Sequence, residues 1–164
     1  MVKKMIGTSV LAASLLVSGA TAASAQANPT LGPYGYGTLK LGMSLKQARA
    51  TGLLVQKFPG RGGGCSGWDL KKFRTPKNKA GVWISPRVGV AAIYARKNMR
   101  TPEGIKVGST FAQLKAAYPG VKKNFYGMYT TRVPGNKKAL YTFGVEKGKV
   151  IEFGIMLRNQ DCFG

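Results

Sequence analysis

Apolar and polar residues alternate with a period of two over much of the second half of the chain. The segments 66–73, 81–85 and 88–96 read as strands, and so do 125–132, 139–146 and 150–157. The clearest alternation puts Ile151, Phe153, Ile155 and Leu157 on one face, with Val150, Glu152, Gly154 and Met156 on a mixed, more exposed one. Pro76-Lys77-Asn78, Pro134-Gly135-Asn136 and Glu146-Lys147-Gly148-Lys149 supply the turns between strands. Runs of hairpins like these suit an antiparallel sheet with one solvated face. Two segments break the alternation. Ser44-x-x-Gln47 and Thr110-x-x-Gln113 have the spacing of a capping box, in which a hydroxyl and a Gln side chain satisfy free amides at a helix start. Helices are predicted over 45–51 and 111–118, stopped by Gly52 and by Pro119-Gly120. Phe111, Leu114 and Tyr118 share one helical face, and Leu45 and Ala48 give a thinner version of it. Helices this short depend on packing rather than on propensity.

The order of elements repeats. Gly42, Ser44 and Gln47 fall on Gly108, Thr110 and Gln113 at an offset of 66, and Arg74, Pro76, Asn78 and Lys79 fall on Arg132, Pro134, Asn136 and Lys137 at an offset of 58. Two matches in the same order argue for one supersecondary block used twice. The change of offset places an extra eight residues in the first copy, in the glycine-rich stretch of about 58–65. The expected fold is α+β, with two tandem repeats. Each is a short helical segment packed on a three- to four-stranded antiparallel sheet, and the two are joined into one curved sheet. Repeat 1 covers 26–100, with a lead-in over 26–38, and repeat 2 covers 101–164.

The N-terminus reads as a targeting signal: a basic start at Lys3-Lys4, an apolar run from Met5 to about Val17, and Ala23-Ser24-Ala25 as a small-x-small cleavage pattern. Cleavage is expected after Ala25, with Ala27 as the second choice, leaving 139 of the 164 residues. The expected location is therefore extracellular. No later stretch is apolar enough to suggest a membrane span, and a monomer is expected. Cys65 and Cys162 are the two cysteines. In an exported chain an even count points to a disulfide, with intermolecular pairing as the weaker alternative. Closing a loop of that length is worth roughly 4–5 kcal/mol by chain entropy.

Charge narrows the function. The chain has 26 basic residues, 5 acidic residues and no histidine, for a net charge of +21. Losing Lys3 and Lys4 with the signal leaves about +19, with lysines outnumbering arginines 16 to 8. Such a surface attracts anions over distance, and lysine does so diffusely. Without histidine, Ser-His-Asp and Cys-His catalysis and ordinary zinc sites are excluded. A carboxylate pair such as Asp69 with Glu152 remains conceivable, but salt-bridge duty among so many lysines is the simpler role. The glycines of 60–64 lead into a strand rather than into the Gly-Lys-Ser/Thr and helix of a phosphate loop. No cofactor and no metal are expected.

Two sets of residues are candidate contacts. The aromatics Trp68 and Tyr126, and Trp83 and Tyr141, match across the repeats, with Tyr34, Tyr36, Tyr94, Phe125 and Tyr129 adding to the set, and would serve as anchors if they line the exposed sheet face. The basic residues Lys71, Lys72, Arg74, Lys77 and Lys79 surround the first repeat's turn, and Arg132, Lys137 and Lys138 surround the second's. If equivalent turns sit side by side, they form one basic edge.

The segment Leu41-Gly42-Met43-Ser44-x-x-Gln47-Ala48-x-x-x-Gly52 resembles the repeat of the secreted β-lactamase inhibitory proteins. Similar segments occur in small outer-membrane lipoproteins of the barrel-assembly machinery. The resemblance implies two helix-plus-sheet copies whose joined sheet grips another protein. Serine replaces the expected methionine at Ser109, each copy holds one cysteine rather than a pair, and no inhibitory loop aligns. No inhibitory residue is therefore carried over. The expected function is a secreted, non-catalytic binding protein, inhibitor-like, using the sheet face against an extracellular protein. The alternatives are a basic binder of anionic cell-surface polymers or lipid headgroups, and an enzyme of unfamiliar type. Nucleic acid is not an expected partner for an exported chain.

Overall fold

The structure, a computed structural model, describes residues 29–163. The expected signal segment 1–25 lies outside the described residues. The fold is α+β. Its short strands β1 (Leu31–Gly32), β2 (Gly35–Tyr36) and β3 (Leu39–Lys40) form a small three-stranded sheet. Helix α1 (Leu45–Ala50) leads into β4 (Leu54–Phe58), β5 (Ser66–Leu70), β6 (Val82–Ser85) and β7 (Gly89–Tyr94). Helix α2 (Phe111–Ala117) leads into β8 (Lys122–Lys123), β9 (Tyr129–Val133), β10 (Asn136–Glu146) and β11 (Lys149–Leu157). These eight strands make one antiparallel sheet in the order β4-β5-β6-β7-β11-β10-β9-β8. The last strand of each group lies at the centre, where Ile93 pairs with Ile155.

Both helices start where their sequences place them. Ser44 and Thr110 each accept from the amide of the Gln three residues on, and each Gln side chain accepts from the cap's own amide. The helices are held by burying Ala48 and Leu114 against the central strands β7 and β11. The register makes Trp68, Val82, Ile93, Ile155 and Tyr141 a single row across five strands, all buried. Period-two geometry sends that row to one face, which the helices cover. The lead-in is not merely extended. Leu31 and Leu39 are fully buried, and the Tyr141 hydroxyl donates to the Leu31 carbonyl at 2.9 Å.

Two irregularities depart from the predicted pattern. A bulge between Gly144 and Val145 pairs Gly144 with Glu152 and Val145 with Val150, leaving Ile151 as the extra residue. Val150 is thereby turned into the core and Ile151 is half exposed, while Phe153 and Ile155 stay buried as predicted. A second bulge lies between Trp83 and Ile84. Strands β4 and β8, at the two edges, are additional to the six expected.

At the turn into β7, Gly89 has φ +75°, and a Cβ there would fall 2.4 Å from the Met43 carbonyl oxygen. Only glycine fits, because the two segments are held close: the Gly42 amide donates to the Val90 carbonyl at 2.9 Å and the Val90 amide to the Met43 carbonyl at 2.8 Å.

Candidate functional site

The face of the sheet opposite the helices is open. Its rows are Trp83–Ala92–Met156–Leu140–Arg132 and Tyr94–Gly154–Thr142–Thr130–Lys122. A cleft of about 690 Å³ runs over them. Trp83, Tyr94, Leu140, Met156 and Phe163 supply its apolar lining, and Glu152 is the one carboxylate among the lining residues. The volume is in the usual range for a ligand pocket or for an anchor site of a protein interface. Asn78, Lys79 and Arg96 line it from one side, and Asn124, Tyr126 and Met128 from the other. Gly154 leaves room for the Tyr94 ring beside it, since a Cβ there would come 2.9 Å from the Ile93 carbonyl oxygen and 3.0 Å from that ring. Burial raises the Tyr94 hydroxyl pKa, and the nearby Glu152 charge adds to the shift, so Tyr94 stays neutral.

The rim at the Trp83 end is built by the disulfide. Cys65 and Cys162 are bonded, with Cα atoms 5.6 Å apart. The bond brings the glycine-rich stretch and the C-terminal segment together beside β6. Phe58 stacks on Trp83 with centroids 6.3 Å apart, while Phe163 meets Trp83 and Tyr94 edge-on at 5.6 and 6.2 Å. The Gln160 side chain fixes this last segment, accepting from the amides of Cys162 and Phe163 and donating to the Phe163 carbonyl at 2.8 Å. Asp161 accepts from the Arg87 Nε at 2.7 Å. Hydrogen bonding to Ser85 and Arg87 keeps the Asp161 carboxyl below its ordinary pKa. A carboxylate oxygen of Asp161 and both cysteine sulfurs lie within 4.8 Å of one another, but the sulfurs are spent in the bond.

The four aromatic candidates divide between the faces. Trp83 and Tyr126 line the cleft. Trp68 and Tyr141 do not, which corrects their place on a contact face: they are 5% and 0% exposed and belong to the core row. The Trp68 Nε1 donates to the Ser66 hydroxyl at 2.8 Å, which satisfies a buried indole internally. Matching Trp83 to Tyr141 at the offset of 58 is out of step by one. The register places Tyr141 in the row of Val82, and a one-residue slip changes the face. Tyr94, a further aromatic of the candidate set, also lines the cleft, whereas Leu140, Met156 and Phe163 were missed. For Phe163 a signal existed, its position beside a bonded cysteine.

The basic candidates are all exposed, but they do not form one edge. Lys71, Lys72, Arg74, Lys77 and Lys79 follow β5 at the end of the sheet from which Tyr94 also exits. Arg132, Lys137 and Lys138 flank the β9–β10 turn, which the register puts at the opposite end, with Arg87. The physical reason is the antiparallel meeting of β7 and β11, which points the two groups of strands in opposite senses.

The first basic turn is held by a buried carboxylate. Asp69 is 1% exposed and accepts from the Thr75 amide and hydroxyl, each at 2.8 Å, and from the Gly81 amide at 3.0 Å. The Lys57 ammonium lies 3.4 Å away and also donates to Thr75 and Pro76. Burial pushes the Asp69 pKa up, yet the hydrogen bonds from Thr75 and Gly81 and the charge of Lys57 outweigh it and hold the group below its ordinary value. Asp69 is thus a structural anchor of the 71–81 loop. A separate hollow of about 580 Å³ beside α2 is lined by Gly104, Ser109 and Gln113. Its acid, Glu103, is engaged by the Tyr118 hydroxyl. No helix among the described residues is long and apolar enough to cross a membrane.

No protein-family model and no curated protein matches the chain. Among solved structures, it is similar to the crystal structure of the uncharacterized protein YfeY from Escherichia coli. The TM-score is 0.53 at 17% identity, over 79% of this chain and 99% of that one. At that identity, what the two chains share is the fold.

Proposed function

We propose that the chain is an exported, non-catalytic binding protein whose open sheet face holds another protein. The observation that carries this reading is the cleft over Trp83, Tyr94, Leu140, Met156 and Phe163 on the face that no helix among the described residues covers. Half-buried aromatic and long aliphatic groups on a sheet are anchors that a partner can desolvate without reorganising them. Rim cations at Lys79 and Arg96 favour a partner segment with acidic flanks. The absence of histidine from the sequence, and the engagement of Asp69 and Glu103 by Thr75 and Tyr118, argue against an enzyme.

We read the fold as a duplicated unit. Three features support this: the paired capping boxes, the equal groups of one helix and four strands, and the meeting of β7 with β11 at the centre. The resemblance of 41–52 to the inhibitory-protein repeat favours a protein as the occupant and an inhibitor-like use. Export is favoured by the signal-like N-terminus and by the disulfide.

The test is binding to a candidate partner at low and at high salt. Affinity that survives high salt and is lost in Trp83→Ala supports the open face. Affinity that vanishes with salt and ignores Trp83→Ala refutes it in favour of a polyanion.

A further inference from the structure

The turn between β8 and β9 carries an aromatic side chain left uncovered by the described residues. Phe125 is 97% exposed and Tyr126 beside it is 70% exposed, with ring centroids 5.6 Å apart. The tip is braced from within. The Asn124 amide donates to the Met128 carbonyl at 2.7 Å, the Met128 amide to the Asn124 Oδ1 at 3.0 Å, and the Gly127 amide to the Asn124 carbonyl at 3.1 Å. The adjoining Phe125 and Tyr126 rings make a small projecting apolar point, which gains meaning from the charge around it.

Strand register identifies what accompanies it. The 71–81 loop, the segment after Tyr94 and the β10–β11 turn all emerge at the same end of the sheet as Phe125. They bring exposed Lys77, Lys79, Lys97, Lys147 and Lys149 alongside Lys123 of the tip's own hairpin. The acids at this end are Glu146 in the β10–β11 turn, Glu152 in the cleft and the buried Asp69, which is taken up by Thr75, Gly81 and Lys57. The seven neighbouring strands from β5 to β8 in the sheet, at spacings of ~4.8 Å, spread these turns over roughly 29 Å. A broad line of protruding lysines with one projecting aromatic point lacks the concavity of a pocket. It has the chemistry of a lipid interface, where aromatic rings settle at headgroup depth and lysines meet anionic phosphates.

We propose that this end of the sheet docks on an anionic bilayer surface, with the Phe125 tip entering the interface and the surrounding lysines on the headgroups. The surface shares Lys79 and Tyr126 with the rim of the cleft but does not include Trp83, so Trp83→Ala is expected to keep vesicle binding.

The test uses the full mature chain with phosphatidylcholine vesicles and with mixed phosphatidylcholine–phosphatidylglycerol vesicles. Wild type is expected to sediment with the mixed vesicles alone and to release at about 1 M salt, where the screening length falls to roughly 3 Å. Phe125→Ser is expected to lower partitioning about tenfold, as for an aromatic side chain leaving an apolar environment. In Phe125→Trp the added indole is expected to shift to the blue on binding and to be quenched by brominated acyl chains, read as a difference from wild type. The proposal is overturned if wild type ignores anionic vesicles. It is equally overturned if Phe125→Ser binds as well as wild type, or if the added indole stays unquenched while the protein is bound. Because Phe125 is exposed, circular dichroism of both variants is expected to match wild type.

Discussion

The ring of Phe163 meets the indole of Trp83 edge-on at 5.6 Å, one residue beyond the bond that ties Cys162 to Cys65. This segment thus becomes a wall of the cleft, held there by the disulfide and by the Gln160 side chain. The double variant Cys65→Ser with Cys162→Ser is predicted to lose about 4 kcal/mol of stability in urea melts, from the freed loop of 97 residues. Phe163→Ala, with the disulfide intact, is predicted to change stability by under about 1 kcal/mol. It should nonetheless make the Trp83 indole more accessible to acrylamide.

The two tryptophans are predicted to respond in opposite ways. Trp68→Ala empties a buried site and removes the partner of the Ser66 hydroxyl, and should cost about 3–5 kcal/mol. Trp83→Ala removes a half-exposed ring and should cost about 1 kcal/mol while abolishing open-face binding. Thermal melts beside a binding assay separate the two.

Asp69 sets a pH dependence. Its folded pKa lies below the ordinary 3.8, so its contribution is complete at neutral pH. That contribution begins to fall as pH drops below about 5 and is lost as pH passes through the depressed folded value. Asp69→Asn is predicted to cost about 3 kcal/mol at neutral pH, because it leaves the Lys57 ammonium without its buried partner. It should also flatten the acid limb of the stability profile. Urea melts across the acid range measure both effects, and hydrogen exchange at the Thr75 and Gly81 amides reports the loosened loop.

Ser44→Ala and Thr110→Ala are each predicted to cost about 1 kcal/mol, since each removes one half of a reciprocal cap. The caps sit on different helices, so the double variant should cost the sum within about 0.5 kcal/mol. Chemical denaturation of the three variants checks both values.

These caps also show why part of the fold was legible in the sequence. A capping box is a local rule complete within four residues, and both helices begin as that rule requires. The central strands were legible for a similar reason, through sustained alternation. The faces were less so. Alternation fixes a face only until a bulge intervenes, and the bulge at Gly144 and Val145 turned Val150 inward and Ile151 outward. Strands β4 and β8 are short edges with mixed patterns, which carry little signal of their own. The separation of the two basic turns depends on how β7 meets β11, a long-range pairing that no local motif encodes. Phe163 reaches the cleft only through a bond between residues 97 positions apart.

The central claim is that the open face, and not the helical face, is where a partner sits. Site-specific photo-crosslinking in the producing organism tests this most directly, with the photoreactive side chain at Leu140 or Met156 and, as the control, at Lys46 or Lys115 on the helices. The account predicts a discrete protein adduct from Leu140 and Met156 that persists when the cells are washed in high salt, and none from Lys46 and Lys115. Adducts from the helical positions with none from Leu140 and Met156 would contradict it.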